Sequence, residues 1–441
     1  MSFTGSTIPT YVVRHLPRRH DQDVGVTFTP GPRRPLPSHP PFPAEIWREI
    51  LLHTVPTRDD FKTAFTLNEV PTPCFSPNED RRHLATSYAL VSTLFHDIAM
   101  PILWEHITVR TRKQLGDARR GAQIGTSLWQ QIRPLGFACR RLDLRMQEPW
   151  TLPPLQRLLQ HLPNLEILIV DNSLVDFPVI SDEYFRLFVN TIPNIIKQAQ
   201  CHSIRRLETW GLGLPFNTND FALLPATLPS LESLHLTGII SPDQNDVAVL
   251  NHDCTVFKSL TTLSFSPNPY PTSHFAVELN SIVTTHDPFP ALRHFDVHHG
   301  DYFRLPMSPF YQRCGGHLLR LSIHTGDPSF TPDIDVPGTW PKLQVLHITI
   351  NTYQHGSLPV NLPQLHTIIA IEGRGMRGRG WLHRLESFVS SLTGGEKYPS
   401  LRHVRLHLRN TLRRGWWPTV VEYFMDKVRA CGYHVDIHYI L

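Results

Sequence analysis

Residues 228–236 read Leu228-Pro229-Ser230-Leu231-Glu232-Ser233-Leu234-His235-Leu236. A proline that starts a turn is followed by apolar residues at 231, 234 and 236. The last two are one residue apart, the period of a strand with one buried face. The grammar apolar-x-x-apolar-x-apolar recurs along most of the chain. It reads Cys139-Leu142-Leu144, Leu165-Leu168-Val170, Leu260-Leu263-Phe265, Leu292-Phe295-Val297, Leu318-Leu321-Ile323, Leu343-Leu346-Ile348, Leu365-Ile368-Ala370 and Leu401-Val404-Leu406. A weaker copy, Ile204-Leu207, has Thr209 in its third place. Several copies open with Pro two residues ahead (LPNL, LPSL, FPAL, WPKL, LPQL, YPSL). First positions are spaced from 22 residues (Leu343 to Leu365) to 39 (Leu165 to Ile204).

This grammar and spacing resemble leucine-rich repeats, each giving one short parallel strand. The uneven intervals imply an irregular solenoid with its strands on the concave face. Leu155–Leu162 and Trp381–Leu392 have helical spacing, as does Asp182–Ile196 with a break expected at Pro193. The shorter interval 326–340 reads as loop. At the end, Val421, Phe424, Met425 and Val428 recur at helical intervals, and Gly432 follows as a C-terminal cap. Tyr433–Leu441 then alternates as a last strand, so a helix and strand would close the stack.

Ahead of the repeats, Phe42–Val55 and Tyr88–Val109 are amphipathic helical patterns. Pro43 fits a first helical turn. Pro101 is expected to end or kink the second helix, with a short turn beginning at Ile102-Leu103-Trp104. Pro43, Ile46-Trp47, Ile50-Leu51, Leu90-Val91, Phe95, Ile98 and Leu103-Trp104 together resemble an F-box. That module holds Skp1, and through it a cullin, in ubiquitin ligases. The resemblance covers about 42–109 and departs from the pattern in an insertion at about 56–83, which reads as loop with a short turn at Phe61–Leu67. It implies that these named residues contact Skp1.

The expected fold class is therefore α/β: a helical F-box, then a leucine-rich-repeat solenoid. Residues 1–41 form a Pro- and Arg-rich tail expected to stay disordered, 42–110 the F-box, and 111–441 the repeat domain with its cap. The tail's Arg18-Arg19 and Arg33-Arg34 read as a solvated tail, with nuclear import the alternative.

Composition narrows the function classes. The chain has 441 residues, 41% hydrophobic and 18% charged, with a formal net charge of +4. That charge gives no strong attraction to nucleic acid or an anionic membrane, and neither is expected as a partner. Six scattered cysteines show no CxxC pair, and no apolar run is long enough to span a bilayer. A reduced compartment, cytoplasmic or nuclear, is the expectation. No GxSxG, HExxH or phosphate-loop lysine motif occurs, so no catalytic residues, metal or cofactor are assigned. Gly373-Arg-Gly375-Met-Arg-Gly378 matches a dinucleotide loop formally. No acidic residue ends the next strand, however, and an exposed turn explains the loop as well; an RNA-contacting Arg–Gly loop is a third reading. His252-Asp253-Cys254 reads as a polar loop.

Side chains alternate along a strand, so the residues between the apolar positions should share the opposite face. They collect histidine: His235; His294, Asp296 and His298; Arg320 and His324; His347; His403, Arg405 and His407. His298 should stand beside His324, and His294 beside Arg320. The reading is a solvent-facing, weakly basic strip for an acidic or phosphorylated substrate protein. Arg320 and Arg405 would be its permanent charges, and its charge would rise as pH falls through about 6.5. A metal bridged by His298 and His324 is an alternative that lacks a third ligand. By resemblance, the chain is a non-catalytic adaptor that holds Skp1 at one end and an unknown protein substrate at the other. An F-box protein working outside a ubiquitin ligase is the other reading.

Overall fold

A computed structural model of the chain describes residues 42–54, 61–64, 87–115, 135–146, 150, 152–172, 192–210, 218–237, 256–266, 283, 287–299, 308–325, 339–350, 362–372, 379–393, 398–409 and 417–440. Two compact units emerge, Met1–Pro43 and Ala44–Leu441. The tail expected at 1–41 lies outside the described residues, as do Gly373–Gly378, His252–Cys254, Asp182–Thr191 and most of the insertion at 56–83.

The second unit is α/β and holds a parallel sheet of twelve strands paired in strict chain order. The strands are β1 (His106–Val109), β2 (Arg141–Arg145), β3 (Ile167–Asp171), β4 (Arg206–Trp210), β5 (Ser233–Thr237) and β6 (Thr262–Ser266). They continue as β7 (His294–His299), β8 (Arg320–Thr325), β9 (Val345–Thr349), β10 (Thr367–Ile371), β11 (His403–Arg409) and β12 (His434–Ile440). One strand per repeat, each pairing with the next, is the arrangement the repeat grammar requires. The register is the predicted one: Leu234 faces Leu263, Phe295 faces Leu321, and Ile368 faces Val404.

The Pro-containing openings have a structural reason. Leu165, Leu231, Leu292, Leu343, Leu365 and Leu401 each donate their backbone N–H to the carbonyl three residues back, at 3.1–3.3 Å. Pro sits at the second position of each turn, where its fixed φ is already correct. The turn's first residue (Leu162, Leu228, Phe289, Trp340, Leu362 or Tyr398) and its last Leu are both buried. Each turn thus nails two side chains into the core before its strand starts.

Behind the sheet pack α3 (Leu152–Leu159), α4 (Ile192–Ala199), α5 (Thr218–Thr227), α6 (Ser308–Cys314), α7 (Arg379–Thr393) and α8 (Trp417–Ala430). Their apolar residues join Leu142 through Leu408 of the strands in one continuous core. Pro193 is preceded by residues 182–191, which lie outside the described residues, so the break expected there has no described helix to interrupt. It stands in the first turn of α4, where its missing N–H has no helical partner to lose. The closing elements are as expected: α8 ends at Ala430, Gly432 takes φ 85°, and β12 follows.

Ahead of β1 in the chain come α1 (Ala44–Thr54) and α2 (Thr93–Trp104). The pattern that began at Tyr88 is two pieces. Leu90 and Val91 lie in a turn, and Ser92 caps α2 by accepting the Phe95 N–H at 3.2 Å. Nor does Pro101 end the helix, which runs on to Trp104. Ile98, Ala99 and Ile102 are buried on both sides of Pro101 and hold the segment together. The carbonyl that Pro101 leaves without its usual partner belongs to Asp97, whose side chain is 80% exposed. No helix among the described residues is long and apolar enough to cross a membrane.

Candidate functional site: an apolar helical face and a polar sheet face

Leu51, Ile98, Ala99 and Ile102 form a small core between α1 and α2, with Trp47, Leu52, Leu94 and Phe95 packed against it. The Trp47 and Phe95 rings lie 5.1 Å apart. The residues expected to face Skp1 therefore divide. Leu51 and Ile98 are buried, and Trp47, Phe95 and Leu103 are half-buried. Trp104 turns the other way, onto the main core. Pro43 is exposed. Ile46 and Ile50, one turn apart on α1, are 45% and 40% exposed; Leu90 and Val91 reach 82% and 65%. A single apolar stripe was expected to carry Ile46, Ile50 and Leu51 together. Instead, adjacent faces of α1 do different work: Leu51 holds the two helices together, and the isoleucines stand in solvent.

On the sheet, the outward rows have the predicted register. His294 pairs with Arg320, His298 with His324, and Ser322 with His347. The expectation that this strip is open to solvent fails over most of its length. His235, His294, Asp296, Arg320 and His347 are all buried, at 0–7% exposure. So are the apolar residues of the same face, Ile167, Ile169, Val345 and Ile369. Burial on both faces is the usual condition of a parallel sheet. Its polar side chains are accordingly bonded to one another. His235 stacks on Trp210, ring centres 3.5 Å apart, and reaches Ser264 Oγ at 2.8 Å. Arg320 contacts Ser322 at 3.3 Å and His347 Nδ1 at 3.3 Å, and His324 lies 3.6 Å from Asp296. His347 does not become a cation as pH falls through 6.5. Burial first, then His324 and Arg320, hold its pKa well below that value. The His298 side chain lies outside the described residues, so the bridged-metal reading has no geometry to support it.

The face opens at its carboxy-terminal end. His403 is exposed, and Arg405 and His407 are half-buried. Across the β11–β12 pairing they meet His434, Asp436 and His438. Arg405 lies 3.5 Å from Asp436, and the His407 and His438 rings are 5.3 Å apart. Burial, His438 and Arg405 depress the His407 pKa.

The histidine-rich strip leaves out the buried ion pairs at β1–β4. Arg141 donates Nε and a terminal nitrogen to Asp143 at 2.8 and 3.0 Å. His106 Nε2 lies 3.1 Å from the same carboxylate. All three side chains are buried. Burial alone would raise the Asp143 pKa, but His106 and Arg141 hold it far below the usual carboxylate range. Arg206 pairs with Glu208, which also accepts the Trp210 N–H at 2.7 Å. The alternation rule, applied to the repeats at 139 and 204 as it was to the others, places these residues outward too.

A second feature is the described piece of the insertion. Phe61 lies edge-on to His106, ring centres 6.4 Å apart, and under the Arg140 guanidinium at 5.3 Å. The Lys62 carbonyl accepts from Arg206 at 3.0 Å, and Thr63 Oγ1 donates to Glu232 at 2.5 Å. Three consecutive residues thus reach from β1 to the turn before β5. Nothing in their sequence announced it, because each contact is made by a different kind of group.

Cys139 and Cys201 are unsuited to nucleophilic chemistry. Both are buried and donate to backbone carbonyls, and burial pushes the Cys201 thiol up to about 11. A comparison with protein-family models finds no match to the chain, and none is found among curated proteins.

Proposed function

We propose that this chain is a non-catalytic adaptor. Residues 42–110 are an F-box that holds Skp1, and through it a cullin. The strand array is a leucine-rich-repeat solenoid that holds a protein to be ubiquitinated. The observation that carries this is the uncovered apolar set on α1 and the turn before α2. Ile46, Ile50, Leu90 and Val91 stand in solvent around a core already closed by Leu51, Ile98, Ala99 and Ile102. Exposed apolar side chains grouped on a small helical unit mark a contact surface. In this reading they touch Skp1, and the buried residues keep the two helices at a fixed spacing. The substrate meets the open end of the polar face, at His403, Arg405, His407, His434 and His438, rather than the buried middle of it.

Ile50→Asp tests the first half. Ile50 is 40% exposed, so the variant should fold. Losing a central interface anchor costs about 2–4 kcal/mol, roughly a 30- to 1,000-fold loss of Skp1 affinity. Wild-type binding by Ile50→Asp, with purified Skp1 in calorimetry, would rule out this interface.

A further inference from the structure

Asp287, Cys314 and His317 bring a carboxylate oxygen, a thiol sulfur and an imidazole nitrogen within 4.8 Å of one another. The fold holds all three. Asp287 accepts the Phe289 N–H at 2.9 Å through Oδ1, which fixes its loop and leaves the second oxygen for another partner. Cys314 is the last residue of α6, and its side chain is fully buried. Gly315 and Gly316 then turn the chain so that His317 comes back over the same place. A Cβ at Gly315 would lie 2.6 Å from the Thr339 carbonyl oxygen, so the turn can be this tight only with glycine.

Two features of the cluster have no account in packing alone. His317 Nε2 is shut off from solvent and has no hydrogen-bond partner among the described residues. A buried polar atom without one is costly enough to demand an explanation, and an ion is one. The second is the thiol. Cys139 and Cys201 each donate to a backbone carbonyl, but for Cys314 the neighbouring polar group is a carboxylate. Burial and that carboxylate together push the Cys314 thiol up, so alone it stays protonated.

We propose that Asp287, Cys314 and His317 bind a divalent zinc ion. One thiolate, one imidazole and one carboxylate are the ligand types zinc takes in tetrahedral sites, and a water fills the fourth position. On binding, the thiol proton passes to solvent and the sulfur ligates as thiolate, which neutralises the repulsion from Asp287. The ion ties the loop that leads into β7 to the turn that leads into β8. Cys-x-x-His is one half of a zinc pattern. The other half lies 27 residues earlier (314 − 287) as a lone aspartate, so no paired motif is visible in the sequence. The proposal is independent of the Skp1 reading.

The test uses the full chain. With 26 histidines, zinc content alone would mix this site with weak surface binding. Cobalt(II) is therefore titrated into metal-free protein, and the thiolate-to-cobalt charge-transfer band is followed. One equivalent should produce the band together with the visible bands of tetrahedral cobalt, and zinc should displace both. Zinc should also raise Tm by a few degrees. Cys314→Ser should abolish the thiolate band. If that buried substitution prevents folding, His317→Gln, at a half-buried position, should lose the tetrahedral visible bands and the zinc-dependent rise in Tm. The proposal is overturned by wild-type protein without a thiolate band, by a band that survives Cys314→Ser, or by a His317→Gln spectrum identical to wild type.

Discussion

Asp143→Asn is the most searching perturbation of the sheet's polar face. Asp143 accepts two hydrogen bonds from Arg141, at 2.8 and 3.0 Å, and faces His106 at 3.1 Å. Both Arg141 and Asp143 are at 0% exposure. At an effective dielectric of about 20, opposite charges about 4 Å apart attract by roughly 4 kcal/mol, which offsets much of their desolvation. Asparagine keeps the shape and removes the charge, leaving the Arg141 guanidinium buried without its counter-ion. Breaking a buried pair this way costs about 3–5 kcal/mol. In urea unfolding at pH 7 the variant should lose that amount, with an unchanged m-value. The double variant Arg141→Met with Asp143→Leu should recover most of it, because the pair is weak relative to apolar packing.

The sign with pH follows from the depressed Asp143 pKa. The ion pair stabilises fully above the unfolded carboxylate value of about 4 and is lost as pH falls through the lower folded value. Wild type and Asp143→Asn should therefore converge in acid. A loss under about 1 kcal/mol at pH 7, or a gap that stays constant down to pH 2, would refute the claim that this pair is buried and ionised.

Three further outcomes follow from the same geometry. His347 has a folded pKa well below 6.5, so its contribution is complete above that pH and lost as pH falls toward the folded value; unfolding midpoints from pH 8 to 5 should fall, and His347→Gln should flatten part of the slope. Gly315→Ala places a methyl 2.6 Å from the Thr339 carbonyl oxygen and should cost about 1–3 kcal/mol by thermal unfolding. Phe61→Ala removes a ring from His106 and Arg140 and should speed hydrogen exchange at β1 and β2 while leaving β11 and β12 unchanged.

The array was legible because its signal is redundant. Most copies have a buried first residue and two inward residues, and six open with a Pro turn, so irregular spacing did not hide the register. The signals that failed were local ones. Ser92 is a helix cap inside an apolar stretch, and the run Leu90-Val91 masked the turn before it. Pro101 was expected to end or kink its helix, since a sequence does not show whether packing on both sides holds a helix together. Burial of the polar face was the largest surprise. Alternation tells which side of a strand a residue points to, but not whether that side is covered.

On the proposed adaptor reading, that distinction decides where a partner protein could be read by this sheet. In the middle, each charged or imidazole group is committed to a neighbour in the same face: Arg206 to Glu208, His235 to Ser264, Arg320 to His347. A ligand arriving there would have to break bonds already formed in low dielectric, where an orphaned group costs about 1–3 kcal/mol. At β11 and β12 the cost is smaller. His403 and His434 are exposed, and the Arg405–Asp436 pair is about one-third exposed on each side, so water already competes for it. Recognition of an acidic segment should therefore depend on Arg405 and His407 far more than on Arg320, although sequence position alone ranked them equally. On the proposed adaptor reading, the middle of the face specifies the fold, and the last two strands are where a partner would bind.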